Sequence, residues 1–183
     1  MSAQFREAIF RQPENLRAAA MLLLTLPGAA FIYQGDEIGL ANGPGAEPPY
    51  DRAGRDPMRH PMQWDPTPTG GFTSSEPWLP PVDPAERNVE AERDDPGSLL
   101  NLYRLLIEAR TLLGDGFHLL EGFEGMVTFE RLEHLVAINT TAGYQAAPVV
   151  APPELTTHPD PLADGMLAPH AGVIAPKSGL SSP

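Results

Sequence analysis

Cysteine is absent from this 183-residue chain, which excludes disulfides, thiolate metal sites and a cysteine nucleophile. Positive charge is scarce: 12 Lys and Arg stand against 24 Asp and Glu, giving a net charge of −12 and a pI near 4.7. Such a surface repels phosphates and argues against nucleic acid as a partner. Apolar runs are short, and none approaches the ~20 residues that span a bilayer, so no membrane partner is expected. The opening MSAQFREAIF lacks the long apolar segment of a secretory signal, and a cytoplasmic protein is the expectation. Histidines are few and never at metal spacing, and neither a Gly-x-Ser-x-Gly elbow nor a phosphate loop occurs. No metal and no cofactor are expected.

What is abundant is proline and glycine, 22 and 17 residues, and a hydrophobic share of 42% that can supply a core. Phe5, Ile9 and Phe10 can belong to a first helix, and Pro13-Glu14 can begin the next. Leu16, Ala19, Ala20, Leu23 and Leu24 recur at helical spacing, and Pro27-Gly28 ends that helix. Ala30-Phe31-Ile32-Tyr33 is unbroken and apolar, as expected of a parallel strand covered on both faces. Gln34, Gly35, Asp36 and Glu37 then place polar groups at the C-terminal end of the strand, where α/β barrels carry their chemistry.

Residues 41 to 94 read as a long irregular loop, with Trp64, Phe72 and Trp78 as its expected packing anchors. Asp95 and Pro96 suit a helix start. Leu99, Leu102, Tyr103, Leu106, Arg110 and Leu113 share one face, and Gly114 closes the helix, for a span of roughly 27 Å. Beyond Phe117 the period shifts to strands. Met126 to Glu130 and His134 to Asn139 form a predicted hairpin around Arg131-Leu132-Glu133, with shorter candidates at 144–150 and 171–174. Residues 177–183 read as a tail.

Several ordered blocks together, TLPGAAFIYQGDEIGL, GRDPMRHPMQWD, GGFTSSEPWLP and DPGSLLNLYRLLIEAR, resemble the C-terminal part of α-glucosidases and oligo-1,6-glucosidases of glycoside hydrolase family 13, the α-amylase superfamily. The resemblance implies α/β plus all-β architecture: the last β/α unit of a (β/α)8 TIM barrel with its long rim loop, followed by an antiparallel β-sandwich. It places the end of the catalytic barrel at 1–114 and the β-sandwich at 115–176, with 177–183 as the tail. A whole barrel needs about 250 residues. In that family the nucleophilic Asp, the acid/base Glu and an Asn-His-Asp segment come earlier, and no Asn-His-Asp occurs here. The expectation is therefore a fragment, inactive alone, of a retaining enzyme acting on short α-linked glucosides.

No catalytic residue is assigned. Retaining glycosidases place two carboxyls about 5–5.5 Å apart across the scissile bond. Asp36 and Glu37, adjacent in an extended segment, would point to opposite faces, so Tyr33, Gln34, Asp36 and Glu37 are read as support for the rim. Asp36 departs from the Glu often found at its position in the family. The resemblance implies that Arg55 contacts substrate: its guanidinium can hold a sugar hydroxyl and a carboxylate together. The competing role for Arg55 is a loop ion pair with Asp56 or Asp51. Arg59 and Gln63 read as scaffolding. His60, where many relatives carry Thr, reads as a hydrogen-bonded structural residue. An α-glucoside oligosaccharide is the implied partner of the full-length protein. Two other readings stay open, a trehalose synthase-type glucosyltransferase and a non-catalytic β-domain for sugar binding or interaction.

Overall fold

The computed structural model describes residues 15–45 and 50–177. The predicted helix within residues 1–14 and most of the predicted tail lie outside these. Among the described residues, 32–101 form one compact unit, and 15–31 with 102–177 form the other.

The second unit begins with α1 (Asn15–Thr25), which buries Leu16, Ala20 and Leu24 as its spacing predicts. Met21 and Ala18 are buried as well, so the face is rotated away from Ala19 and Leu23, which are only half-buried. The helix stops before Pro27, and Gly28 takes a left-handed conformation at φ 90°, open to glycine without a Cβ penalty.

The expected parallel strand at Ala30–Tyr33 is not formed. These residues have no ladder partner among the described residues, and Phe31 is 82% exposed. An apolar run becomes a buried strand only when neighbouring strands accept its backbone bonds, and no described strand lies beside this one.

Helix α3 (Leu99–Leu112) buries Leu102, Tyr103, Leu106 and Leu113 on the predicted stripe. It starts three residues later than expected. Asp95 accepts the Gly97 amide in a turn at 2.8 Å, and Ser98 Oγ, not Asp95, caps the helix by accepting the Asn101 amide at 3.1 Å. The helix is therefore about 21 Å long. Arg110 donates its guanidinium to the carbonyls of Leu24, Leu26 and Gly28, occupying the free C-terminal acceptors of α1.

The remaining strands are antiparallel. β1 (His118–Leu119), β2 (Met126–Arg131), β3 (His134–Asn139), β5 (Leu155–Thr156) and β8 (Gly172–Pro176) form one sheet in the order β1-β2-β3-β8-β5. β4 (Gln145–Ala146), β6 (Leu162–Ala163) and β7 (Met166–Leu167) form a second, ordered β4-β7-β6. The predicted hairpin forms within a residue of its expected bounds, pairing Arg131 with His134 across Leu132-Glu133. The candidate at 144–150 shrinks to two residues.

The larger sheet is covered on both faces. Ala137 and Val173, paired across β3 and β8, join Leu167 and Ala171 in one apolar cluster with Met126, Ala147, Val149 and Leu162. On the other face, Ile138 lies opposite Gly172, and α1 packs there. A Cβ on Gly172 would stand 2.6 Å from Met21 Sδ. Arg131 is buried, 4% exposed, and its guanidinium donates to the carbonyls of Thr25 and Gly114. It thereby ties the hairpin to the ends of both helices.

The first unit is mostly irregular, with one short helix the sequence did not suggest, α2 (Val89–Arg93). Asn88 caps it, accepting the Ala91 amide at 2.8 Å. Its core is Ile38, Leu40, Met62, Val89 and Leu100, with Val82 against them. Trp64, Phe72 and Trp78, expected as anchors, are 50%, 55% and 73% exposed. Aliphatic residues, not these rings, hold the loop.

Candidate functional site

The residues singled out in the sequence lie in two short turns of the first unit. In the turn after the extended segment, Gly35 and Gly39 adopt left-handed φ values of 85° and 61° around a 3₁₀ turn at Asp36–Ile38. Asp36 closes it twice: its amide donates to the Tyr33 carbonyl at 3.0 Å, and its Oδ2 accepts the Tyr33 amide at 2.9 Å. Asp36 and Glu37 thus sit in a helical turn, not the extended segment expected. Asp36 is buried and Glu37 half-buried, with Glu37 Oε2 shielded from solvent and lacking a hydrogen-bond partner among the described residues. Gln34 donates from Nε2 to the His60 carbonyl at 3.1 Å, linking this turn to the next.

The second turn carries Arg55. Asp51 accepts the amide of Arg55 at 2.9 Å through Oδ1 and that of Asp56 at 2.8 Å through Oδ2. These bonds, from Asp56 first and Arg55 second, hold the Asp51 carboxyl below its ordinary value of 3.8. A 3₁₀ turn follows at Asp56–Met58. Asp56 is 1% exposed, and its ion pair is with Arg59, Nη1 to Oδ1 at 3.3 Å. The Arg55 guanidinium is exposed and has no partner among the described residues. The loop ion pair weighed from sequence is therefore made by Arg59, while Asp51 grips Arg55 by its backbone.

Behind this turn the chain is held by buried polar groups. Gln63 is fully buried and donates to the Arg87 carbonyl; Arg87 in turn donates to the Gly39 carbonyl. Val89 and Glu90 donate their amides to the carbonyls of Gln63 and Trp64, each at 3.0 Å. His60 is 1% exposed, with Nδ1 2.6 Å from the Pro80 carbonyl and Nε2 3.0 Å from the Pro44 carbonyl. Sequence reasoning missed Asp51 as the organiser of the Arg55 turn. The Asp-x-x-x-Arg-Asp spacing, with a glycine between, was the available signal.

Among the described residues, no group of three or more acidic or histidine side chains is placed to hold a metal, and no helix is long and apolar enough to cross a membrane. What the second turn presents, among the described residues, is two exposed guanidinium groups without an internal partner, Arg52 and Arg55, the latter on a backbone fixed by Asp51.

Comparison with known proteins gives this arrangement its context. The chain is 34% identical over 119 residues to a probable α-glucosidase of Rhizobium meliloti (strain 1021), a match covering 59% of this chain and 22% of the relative. It is 34% identical over 127 residues to the oligo-1,6-glucosidase of Parageobacillus thermoglucosidasius, covering 53% and 22%. It is 41% identical over 97 residues to the trehalose synthase/amylase TreS of Mycobacterium tuberculosis (strain ATCC 25618 / H37Rv), covering 49% and 15%. The chain thus spans less than a quarter of the length of these relatives. Among solved structures, the trehalulose synthase MutB from Pseudomonas mesoacidophila MX-45 superposes with a TM-score of 0.75 at 25% identity, covering 90% of this chain and 39% of that one. The isomaltulose synthase SmuA from Protaminobacter rubrum does so at 0.75 and 23%, covering 89% and 38%. Residues 3–114, well over half the chain and including both turns, match the profile of the α-amylase catalytic domain, and on that ground the chain belongs to the α-amylase superfamily, glycoside hydrolase family 13.

Proposed function

We propose that this chain is the C-terminal part of a retaining α-glucosidase or oligo-1,6-glucosidase that hydrolyses short α-linked glucosides. Residues 1–114 are the last unit of its barrel with the rim loop, and 115–176 its β-sandwich domain. Arg55 is the substrate-binding residue, and Tyr33, Gln34, Asp36 and Glu37 shape the rim beneath it. The observation that carries this reading is the exposed, unpartnered guanidinium of Arg55 on a backbone fixed by Asp51. A cation kept out of internal ion pairs and mounted on a rigid turn suits a sugar hydroxyl and a carboxylate supplied from elsewhere in the protein. The Asn-His-Asp segment of the family does not occur in this sequence, so the chain alone is expected to leave p-nitrophenyl α-glucoside intact. Measurable turnover by the purified chain would defeat that part.

The role of Arg55 is tested in a longer protein carrying the upstream barrel. Arg55→Ala there should raise KM for maltose or isomaltose at least tenfold, with Arg55→Lys in between, because an ammonium lacks the planar fork. Unchanged KM in Arg55→Ala would remove Arg55 from the site.

A glucosyltransferase of the trehalose synthase kind is the second reading, favoured by the 41% identity to TreS. Conversion of maltose to trehalose by the longer protein, instead of glucose release, would select it. A stand-alone sugar-binding β-domain is the third, and retention of the chain on glucan columns would support it.

A further inference from the structure

We propose that Trp64, Phe72 and Trp78 form a further sugar-binding surface, on which glucose units of an α-linked oligosaccharide stack; the choice of sugar rests on the α-glucosidase reading. The three rings are 50%, 55% and 73% exposed, and none is stacked on another ring or on a cation among the described residues. A single exposed ring is ordinary, but three on one stretch of loop leave a large apolar area in water. Their exposure is not slack in the chain. Trp64 donates its amide to the Gly70 carbonyl at 2.7 Å, and Phe72 donates its own to the Thr69 carbonyl at 3.1 Å, so both residues stand at the base of one closed turn. Inside that turn Asp65 Oδ1 accepts the Thr67 amide at 2.9 Å, and the Thr67 hydroxyl accepts the Gly71 amide at 3.1 Å. A Cβ on Gly70 would stand 3.5 Å from Pro81 Cγ, which sets the stretch holding Trp78 against the same turn. Leu79 is buried beside Trp78 and fixes the backbone that carries its ring.

The chemistry beside the rings selects a neutral polyol. Residues 64–81 hold no Lys, Arg or His, and their charged side chains are Asp65 and Glu76, so an anionic partner is repelled. Asp65 spends Oδ1 on the amide and hydroxyl of Thr67, while Oδ2 takes no hydrogen bond among the described residues. That oxygen lies 2.5 Å from where a Cβ on Gly71 would stand, so it sits next to the residue that precedes Phe72. A pyranose offers an apolar face of C–H bonds to an aromatic ring and hydroxyl donors at its edge, and a carboxylate oxygen accepts one of them. An apolar partner seated on the rings would bury Oδ2 without a donor.

Trp64 and Trp78 are the only tryptophans of the chain, so intrinsic tryptophan fluorescence of the full chain reads this surface alone. Titration with maltotetraose should give a saturable change at millimolar concentration. Sorbitol, which has the hydroxyls but no ring face, should give none. Phe72→Ala keeps both reporters and should weaken binding several-fold; Trp78→Ala should do the same with Trp64 as the remaining reporter. Both side chains are exposed, so these variants are expected to fold. No saturable change with maltotetraose, an equal response to sorbitol, or full binding in either variant overturns the surface. In Arg55→Ala the saturation should persist, and its loss would move the sugar to the Arg55 turn and overturn the surface as well. A failed titration leaves the KM effect of Arg55 in the longer protein untouched, so the surface and the proposed function fall separately.

Discussion

Asp51 holds Arg55 by the backbone, not by its charge: Oδ1 accepts the Arg55 amide at 2.9 Å while the guanidinium stays exposed. A carboxylate and an arginine four residues apart would ordinarily be read as an ion pair. Here the acid spends both oxygens on amides, the second being that of Asp56, which leaves the arginine head free for another partner.

Acid should therefore undo this turn. The Asp51 carboxyl is held below 3.8 in the folded chain, so its contribution is present above that value and lost as pH falls through the lower, folded value. In an NMR titration the Arg55 and Asp56 amides should shift together with the Asp51 carboxyl carbon, below pH 3.8. Amides that titrate independently of Asp51 would contradict the bonding described. Arg55→Ala should leave stability within about 0.5 kcal/mol, as expected of an exposed side chain with no internal partner.

Arg131 is a structural cation. Burial and, second, the charge of Arg110 pull it below its ordinary value, and its bonds to the carbonyls of Thr25 and Gly114 compensate. Arg131→Met removes both donors and orphans the acceptors, which should cost about 2–4 kcal/mol in urea unfolding. A loss under about 1 kcal/mol would mean water replaces the guanidinium.

His158 should make the second unit acid-sensitive. Burial first, then Arg17 and His170, lower it from 6.5, and its Nδ1 lies 2.9 Å from the Thr157 hydroxyl, which itself accepts the Gly172 amide. The folded chain resists charging this ring more than the unfolded chain does. Stability should rise with pH up to about 6.5 and fall as pH drops through the lower, folded value. His158→Gln should flatten that slope in denaturation curves recorded from pH 4.5 to 7.5.

Gly172 is a point of close approach between α1 and the sheet. Gly172→Ala should cost about 1–3 kcal/mol by overpacking against Met21, Ile138 and Thr157. Met21→Ala in the same chain should recover part of that loss, although alone it opens a cavity. Strict additivity in the double-mutant cycle would separate the two residues.

The sequence disclosed what depends on neighbours along the chain. The stripe of α3 follows from spacing at 3.6 and the β2–β3 hairpin from two apolar runs around the short connection at Arg131-Leu132-Glu133, and both formed, the connection one residue shorter than read. The segment at Ala30–Tyr33 was misread because a parallel strand is made by other strands, and its apolar composition records only the partners it would need. Trp64, Phe72 and Trp78 misled for a related reason: aromatic character does not say whether a face is covered by this stretch of chain. The two-residue strands β1, β4, β5, β6 and β7 are too short to show any period. At the candidate site Arg55 was legible as a residue type in a motif. The role of Asp51 was not, since bonds to main-chain amides leave little trace in the sequence.

The second compact unit is interrupted by the first, because residues 15–31 come before 32–101 and their packing partners come after. Met21 meets Gly172, about 150 residues downstream. At ribosomal speeds of about 5–20 residues per second, roughly 8–30 s separate their synthesis. For that interval the part of α1 that faces β8 has been made without its final cover, although α3 and β3 precede it. Completion of the second unit therefore waits on β8, the last strand to be made among the described residues.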